Sequence, residues 1–129
     1  MLNGGYSYSE RVGTWGAGQT VLGYLSERYS HSAESTWAGH IEDGRVLLGG
    51  ETVASTRRLE LGELLTWNRP PWMEPEAPSS FAVLYRDPDL LAVAKPRGMA
   101  AMPGGGFLER TLLRRVQALD TLASPLHRL

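Results

Sequence analysis

The sequence predicts a mixed α+β protein: a small two-helix plus β-hairpin module, a Pro-rich linker, then the first hairpin and helix of a second, incomplete α+β domain. Three features carry that expectation. The apolar period changes from helical to extended after Gly44, four prolines fall between Arg69 and Ser80, and the period changes again from extended to helical after Pro103. The boundaries that follow are an irregular N-terminal arm over 1–18, the module over 19–69, the linker over 70–80 and the second domain's beginning over 81–129.

The arm is Gly-rich and ends in Gly13-Thr14-Trp15-Gly16-Ala17-Gly18, with no evident period. Thr20 offers an N-cap to a helix whose apolar residues Val21, Leu22, Leu25 and Tyr29 lie at helical spacing, stopping near Ser30. A second helix is expected from Ser32 to Asp43, burying Trp37 and Ile41 one turn apart and ending at Gly44. Arg45 to Leu48, a Gly49-Gly50 turn and Glu51 to Ala54 read as a hairpin. Leu61-Gly62-Glu63 then turns the chain into a short strand from Leu64 to Trp67.

Beyond the linker, Phe81 to Tyr85, the turn Asp87-Pro88-Asp89 and Leu90 to Ala94 predict another hairpin. A helix follows from about Phe107 to Ala118, with Leu108, Leu112, Leu113, Val116 and Leu119 on or near one face and Arg110, Arg114 and Arg115 mostly off it. One hairpin and one helix bury their apolar faces poorly on their own, so this part reads as unfinished.

Composition narrows the chemistry. The 129 residues hold no Cys, which excludes disulfides, thiolate zinc sites and cysteine nucleophiles. No apolar run approaches the roughly 18 residues needed to cross a bilayer. A soluble, cytoplasmic protein is expected. The net charge of −1 is unevenly placed: from Lys95 onward six basic residues meet two acidic ones, a net of +4, leaving −5 on residues 1–94. Lys95 is the only lysine, and arginine favours forked contacts with phosphate.

Individual candidates are ambiguous when read alone. Gly104, Gly105 and Gly106 precede a helix, where backbone N–H groups can face an anion, yet neither GxGxxG nor a Walker motif occurs and a plain flexible turn is the better reading of such a run taken alone. His31, His40 and His127 are too scattered for a local metal pair, and no metal or cofactor is expected. Asp87 and Asp89 flank a proline in a turn that favours Asp for its own backbone bonding. Ser30, Ser32 and Ser35 sit at a helix start, without a nucleophile elbow.

The order of motifs is more specific than any one of them. Residues from about Gln19 to Trp67 resemble the S-four-type RNA-binding module, in the first helix, Ser30-His31-Ser32, Ile41 to Gly44, the Arg45 to Gly50 hairpin and the Leu61-Gly62-Glu63 turn. Val83 to Gly98, with its acidic turn and Lys95-Pro96-Arg97-Gly98, resembles the opening of the catalytic domain of RluA-type pseudouridine synthases. Met102 to Gly106 and the helix near Leu108 fit the same pattern. Leu126-His127-Arg128-Leu129 resembles the start of that family's His-Arg-Leu-Asp signature, whose Asp is the nucleophile.

The resemblance implies isomerisation of uridine to pseudouridine in structured RNA, ribosomal or transfer, without a cofactor or metal. The base is flipped from the stack, freed from its ribose by the Asp carboxylate, and rejoined through carbon. It implies no catalytic residue within this chain, the nucleophilic Asp being expected after Leu129. Support of the active site and of flipped RNA falls to Lys95, Pro96, Gly98, His127, Arg128 and Leu129. Gly104, Gly105, Gly106, Arg110, Arg114 and Arg115 are implied backbone contacts, and His31 and Arg45 implied contacts of the module. The expected partner is RNA, with neither DNA nor membrane, and a monomer is favoured. Two other readings are a non-catalytic RNA-binding protein using the module alone and a truncated interaction protein. The first of these places the basic residues before Pro70, whereas they cluster after Lys95.

Overall fold

A computed structural model describes residues 2–126. It is a mixed α+β structure whose two sheets are antiparallel. The chain divides into two compact units: Gly5–Pro70, and residues 2–4 together with 71–126.

Gly5–Pro70 contains a four-stranded sheet of β1 (Tyr6–Arg11), β2 (Val46–Leu48), β3 (Glu51–Thr52) and β4 (Leu64–Arg69), in the order β1-β4-β2-β3. Helices α1 (Val21–Arg28) and α2 (Glu34–Glu42) complete it. The Thr20 hydroxyl accepts the Gly23 N–H at 3.0 Å, which satisfies a donor that the first turn of α1 leaves open. Val21, Tyr24 and Leu25 form its buried stripe, and Trp37 and Ile41, four residues apart, form that of α2. They pack with Val12, Val46, Leu59 and Leu65 in one core. Gly49 and Gly50 both adopt positive φ, the geometry that a tight two-residue hairpin turn demands.

Two expectations for this unit are corrected. Tyr6 to Arg11, placed in an irregular arm, form the edge strand β1, pairing Tyr6 with Arg69, Tyr8 with Trp67 and Arg11 with Leu64. The alternation explains it: Tyr6, Tyr8 and Glu10 share one face, while Ser7 and Ser9 on the other bond Asn68 and Thr66 across the pair. The Tyr8 ring stacks on Trp67 at 5.5 Å. The second helix starts at Glu34 rather than Ser32, with Ala33 at its N-cap.

In the other unit, β5 (Ala82–Arg86) and β6 (Leu91–Ala94) form a two-stranded sheet and α3 spans Leu112–Leu119. Asp87 builds the connecting turn by accepting the N–H of Asp89 at 2.8 Å and of Leu90 at 2.6 Å. Every residue of β5 is exposed, and α3 has no fully buried side chain. The buried apolar residues among those described here are Met99 and Leu108.

Two corrections follow here as well. Residues 70–80 do not behave as a stiff linker, because Glu74 is only 4% exposed and Trp72 Nε1 donates to the Gly106 carbonyl at 2.9 Å. The last helix begins at Leu112 rather than Phe107, capped by Thr111, whose Oγ1 accepts the Arg114 N–H.

Trp37 closes the core of Gly5–Pro70 against Trp67 at 4.8 Å and donates from Nε1 to the Tyr29 carbonyl at 3.1 Å. Trp37→Ala is expected to cost about 3–5 kcal/mol, most of the stability of a unit this small. Urea unfolding followed by circular dichroism reads the loss, and a change below about 1 kcal/mol contradicts this packing.

Candidate functional site

Lys95, Pro96 and Gly98, expected to support the active site, lie in one loop directly after β6. The Lys95 ammonium donates to the Met99 carbonyl at 2.7 Å and to the Pro96 carbonyl at 3.3 Å, closing the Lys95-Pro96-Arg97-Gly98 loop on itself. The Met99 N–H donates to the Pro96 carbonyl, and Gly98 carries a φ of 82°, so a glycine is required at that turn. Met99 is buried beneath.

Residues 104–107 form a tight turn in which Gly104 and Phe107 exchange N–H···O bonds of 2.9 and 3.0 Å. The Gly104 N–H is therefore already used, and the Gly106 carbonyl receives Trp72 Nε1. Backbone groups that do converge on an anion lie just beyond. The N–H groups of Leu108, Glu109 and Arg110 donate to the Glu74 carboxylate at 2.9 to 3.1 Å, and Asn3 Nδ2 donates to it at 3.0 Å. Asn3 also ties the segment by accepting the Trp72 N–H at Oδ1 and donating its own N–H to the Trp72 carbonyl, both at 3.1 Å.

This cradle sets the charge state of Glu74. Burial acts to raise the carboxyl pKa, and the N–H groups of Glu109, Arg110 and Leu108 with the Asn3 carboxamide outweigh it, bringing the value down to about 2. The anion is fixed in its ionised form.

The cradle leads directly into α3. Thr111 is fully buried and forms a bridge with Ala100, and the N–H groups of Leu112 and Leu113 donate to the carbonyls of Ala100 and Ala101 at 2.8 and 3.0 Å. Arg110 donates from Nη1 to the Pro75 carbonyl at 2.9 Å and pairs with Glu76 at 3.3 Å. Arg114 Nη1 donates to Gln117 Oε1 at 3.3 Å, and the buried Nε atoms of Arg114 and Arg115 have no hydrogen-bond partner among the described residues.

The two residues expected to act for the module lie in the other unit. His31, in the α1–α2 connection, is exposed and set edge-on to Trp37 at 6.1 Å. Arg45 follows α2, donating its N–H to the His40 carbonyl and accepting the Asn68 N–H. His127, Arg128 and Leu129 lie outside the described residues. Among those described, no group of three or more His, Asp or Glu is placed to hold a metal ion.

Glu74, Asn3 and Thr111 were missed by sequence reasoning. The available signal was a carboxylate set among Trp72, Met73 and Pro75, where a charged side chain has few solvated neighbours.

The depressed pKa makes the cradle acid-sensitive. The folded value lies below the ordinary 4.5, so the stabilisation is complete above about pH 4.5 and is lost as pH falls toward 2. A shift of this size in a buried carboxylate corresponds to about 3 kcal/mol of stability at neutral pH. The stability gap between the natural chain and Glu74→Gln is expected to narrow steadily on acidification, and a pH-independent gap contradicts the assignment.

No family model matches the chain. It is 42% identical over 111 residues to an uncharacterized RNA pseudouridine synthase of Synechocystis, covering 84% of this chain and 38% of that protein. It is 35% identical over 122 residues to RNA pseudouridine synthase 5 of Arabidopsis thaliana, covering 90% and 32%. It is 31% identical over 103 residues to an uncharacterized RNA pseudouridine synthase of Bacillus subtilis, covering 71% and 33%. The chain thus spans about a third of the length of these relatives. The similarity runs through both structural units and is to proteins named RNA pseudouridine synthases, in line with the resemblance that the order of motifs carries.

Proposed function

We propose that this chain is part of an enzyme that isomerises uridine to pseudouridine in ribosomal or transfer RNA. The observation that carries the reading is the 42% identity across 84% of the chain to a protein named an RNA pseudouridine synthase. Residues 19–69 act as the S-four-type RNA-binding module and 81–129 as the opening of the catalytic domain. The reaction exchanges a bond from nitrogen to the ribose C1′ for one from carbon; the hydrogen displaced from that carbon leaves as a proton, and the freed nitrogen takes a proton up. No electron is gained or lost, so the reaction needs no redox cofactor; a cytoplasmic location is part of the same proposal.

Within these residues the work is RNA recognition. Phosphate neutralisation drives much of RNA affinity, and the helices of the module present Glu27, Glu34 and Glu42 to solvent. Lys95, Arg97, Arg110, Arg114 and Arg115 supply the opposing positive charge in the second unit. By the resemblance, the nucleophilic Asp of the His-Arg-Leu-Asp signature is not among these 129 residues, and the chain spans about a third of the length of its relatives.

The 129-residue chain alone is therefore expected to release no tritium from RNA labelled at uridine C5. The assay with a protein extended to the full length of its relatives, which this chain covers to about a third, serves as its positive control. Turnover by the chain alone, or none by the extended protein on any ribosomal or transfer RNA, overturns the proposal.

A further inference from the structure

Glu74 is a buried carboxylate to which uridine isomerisation assigns no role, yet its bonds lead both to the Lys95–Gly98 loop and to the arginines of α3. Three consecutive N–H groups, of Leu108, Glu109 and Arg110, end on it. The next residue, Thr111, caps α3 and bridges to Ala100. Leu112 and Leu113 donate to Ala100 and Ala101, and the adjoining Met99 carbonyl receives the Lys95 ammonium. A continuous path of hydrogen bonds and peptide links thus joins Glu74 to the Lys95–Gly98 loop on one side and to the arginines of α3 on the other.

The choice of a carboxylate is chemically specific. Four donors converge there, and an ionised carboxylate offers about four lone-pair sites and no opposing hydrogen. Glutamine keeps one acceptor oxygen and turns an NH2 group toward backbone N–H groups. The cradle has the donor pattern of an anion site, but the chain's own Glu74, held by Asn3, fills it.

We propose that Glu74 is a positioning residue, which by holding the N–H groups of 108–110 sets where the Lys95–Gly98 loop and α3 present their positive charges to RNA. This rests on the RNA reading above. The role is indirect: Glu74 is buried and acts through the backbone.

The test uses the whole 129-residue chain with Glu74→Ala and Glu74→Gln. Hydrogen exchange is expected to quicken at 108–110 and also at Met99, Leu112 and Leu113, while Gly5–Pro70 stays unchanged as an internal reference. Affinity for a uridine-containing RNA stem-loop is expected to fall roughly tenfold in Glu74→Ala, the scale of one charge-assisted hydrogen bond, and less in Glu74→Gln. Added formate restores both protection and affinity to Glu74→Ala. Should that variant unfold residues 71–126, the volume-conserving Glu74→Gln decides by the same two readouts. Quickened exchange confined to 108–110, or equal RNA affinity in the natural chain and the variant, overturns the positioning role alone. Absence of RNA binding by the natural chain overturns the RNA reading and this role with it.

Discussion

The ion formed by Glu74 and the backbone N–H groups of 108–110 is the constraint on which residues 2–4 and 71–126 depend. That unit buries only Met99 and Leu108 among its described apolar side chains, while its loops between β6 and α3 run for many residues without regular structure. Ordering a residue costs about 1–2 kcal/mol in backbone entropy, far more than two side chains return. Multiple charge-assisted bonds on one carboxylate help to offset the difference, and they do so at the point where the Pro-rich segment, the glycine turn and the start of α3 come together. Asn3 joins the N-terminal residues to the same point.

Gly5–Pro70 is held by a different kind of force. Its centre is aromatic: Trp37 meets the rings of Tyr29, His31, His40 and Trp67, and Trp67 carries Tyr8 on the neighbouring strand. Burial of large rings is insensitive to salt and to mild acid, whereas the Glu74 cradle weakens as its carboxylate is protonated. The unit with the ordinary core carries the more acidic surface, and the unit with the polar clasp carries the loops assigned to RNA. Burial also pushes the Tyr24 phenol up to about 12, with the nearby Glu10 carboxylate adding to it, so this core ring stays neutral.

What was legible in the sequence was local. Thr20 and α1, the glycine turn between β2 and β3, and the Asp87 turn between β5 and β6 each place cause and effect within a few residues. β1 was hidden because its alternating Tyr and Ser lie among glycines and its partner strand is more than fifty residues away. The start of α3 was misread because Leu108 falls four residues before Leu112 and continues the apolar stripe. Its N–H bonds a side chain from the Pro-rich segment instead of serving a helix, so the helix begins only where Thr111 supplies a cap. The Lys95 loop and the α3 arginines were marked by resemblance, but the carboxylate that organises them lies 34 residues before Leu108, with no periodicity to announce it.

Arg110 shows how a structural clasp and the proposed RNA contact would coexist in one residue. Its backbone N–H belongs to the Glu74 cradle, which fixes where the side chain starts, and its guanidinium is aimed by the Pro75 carbonyl. Its remaining partner, Glu76, is 94% exposed, and an ion pair with so solvated a carboxylate contributes little, at most about 1 kcal/mol. Exchanging that carboxylate for an RNA phosphate costs almost nothing, while the Pro75 bond keeps the guanidinium oriented. A flexible arginine would lose rotamer entropy on binding, about 2 kcal/mol for the free side chain, and Arg110 has already lost part of it in folding. The same carboxylate that orders the loop would therefore lower the entropic cost of the proposed RNA contact there.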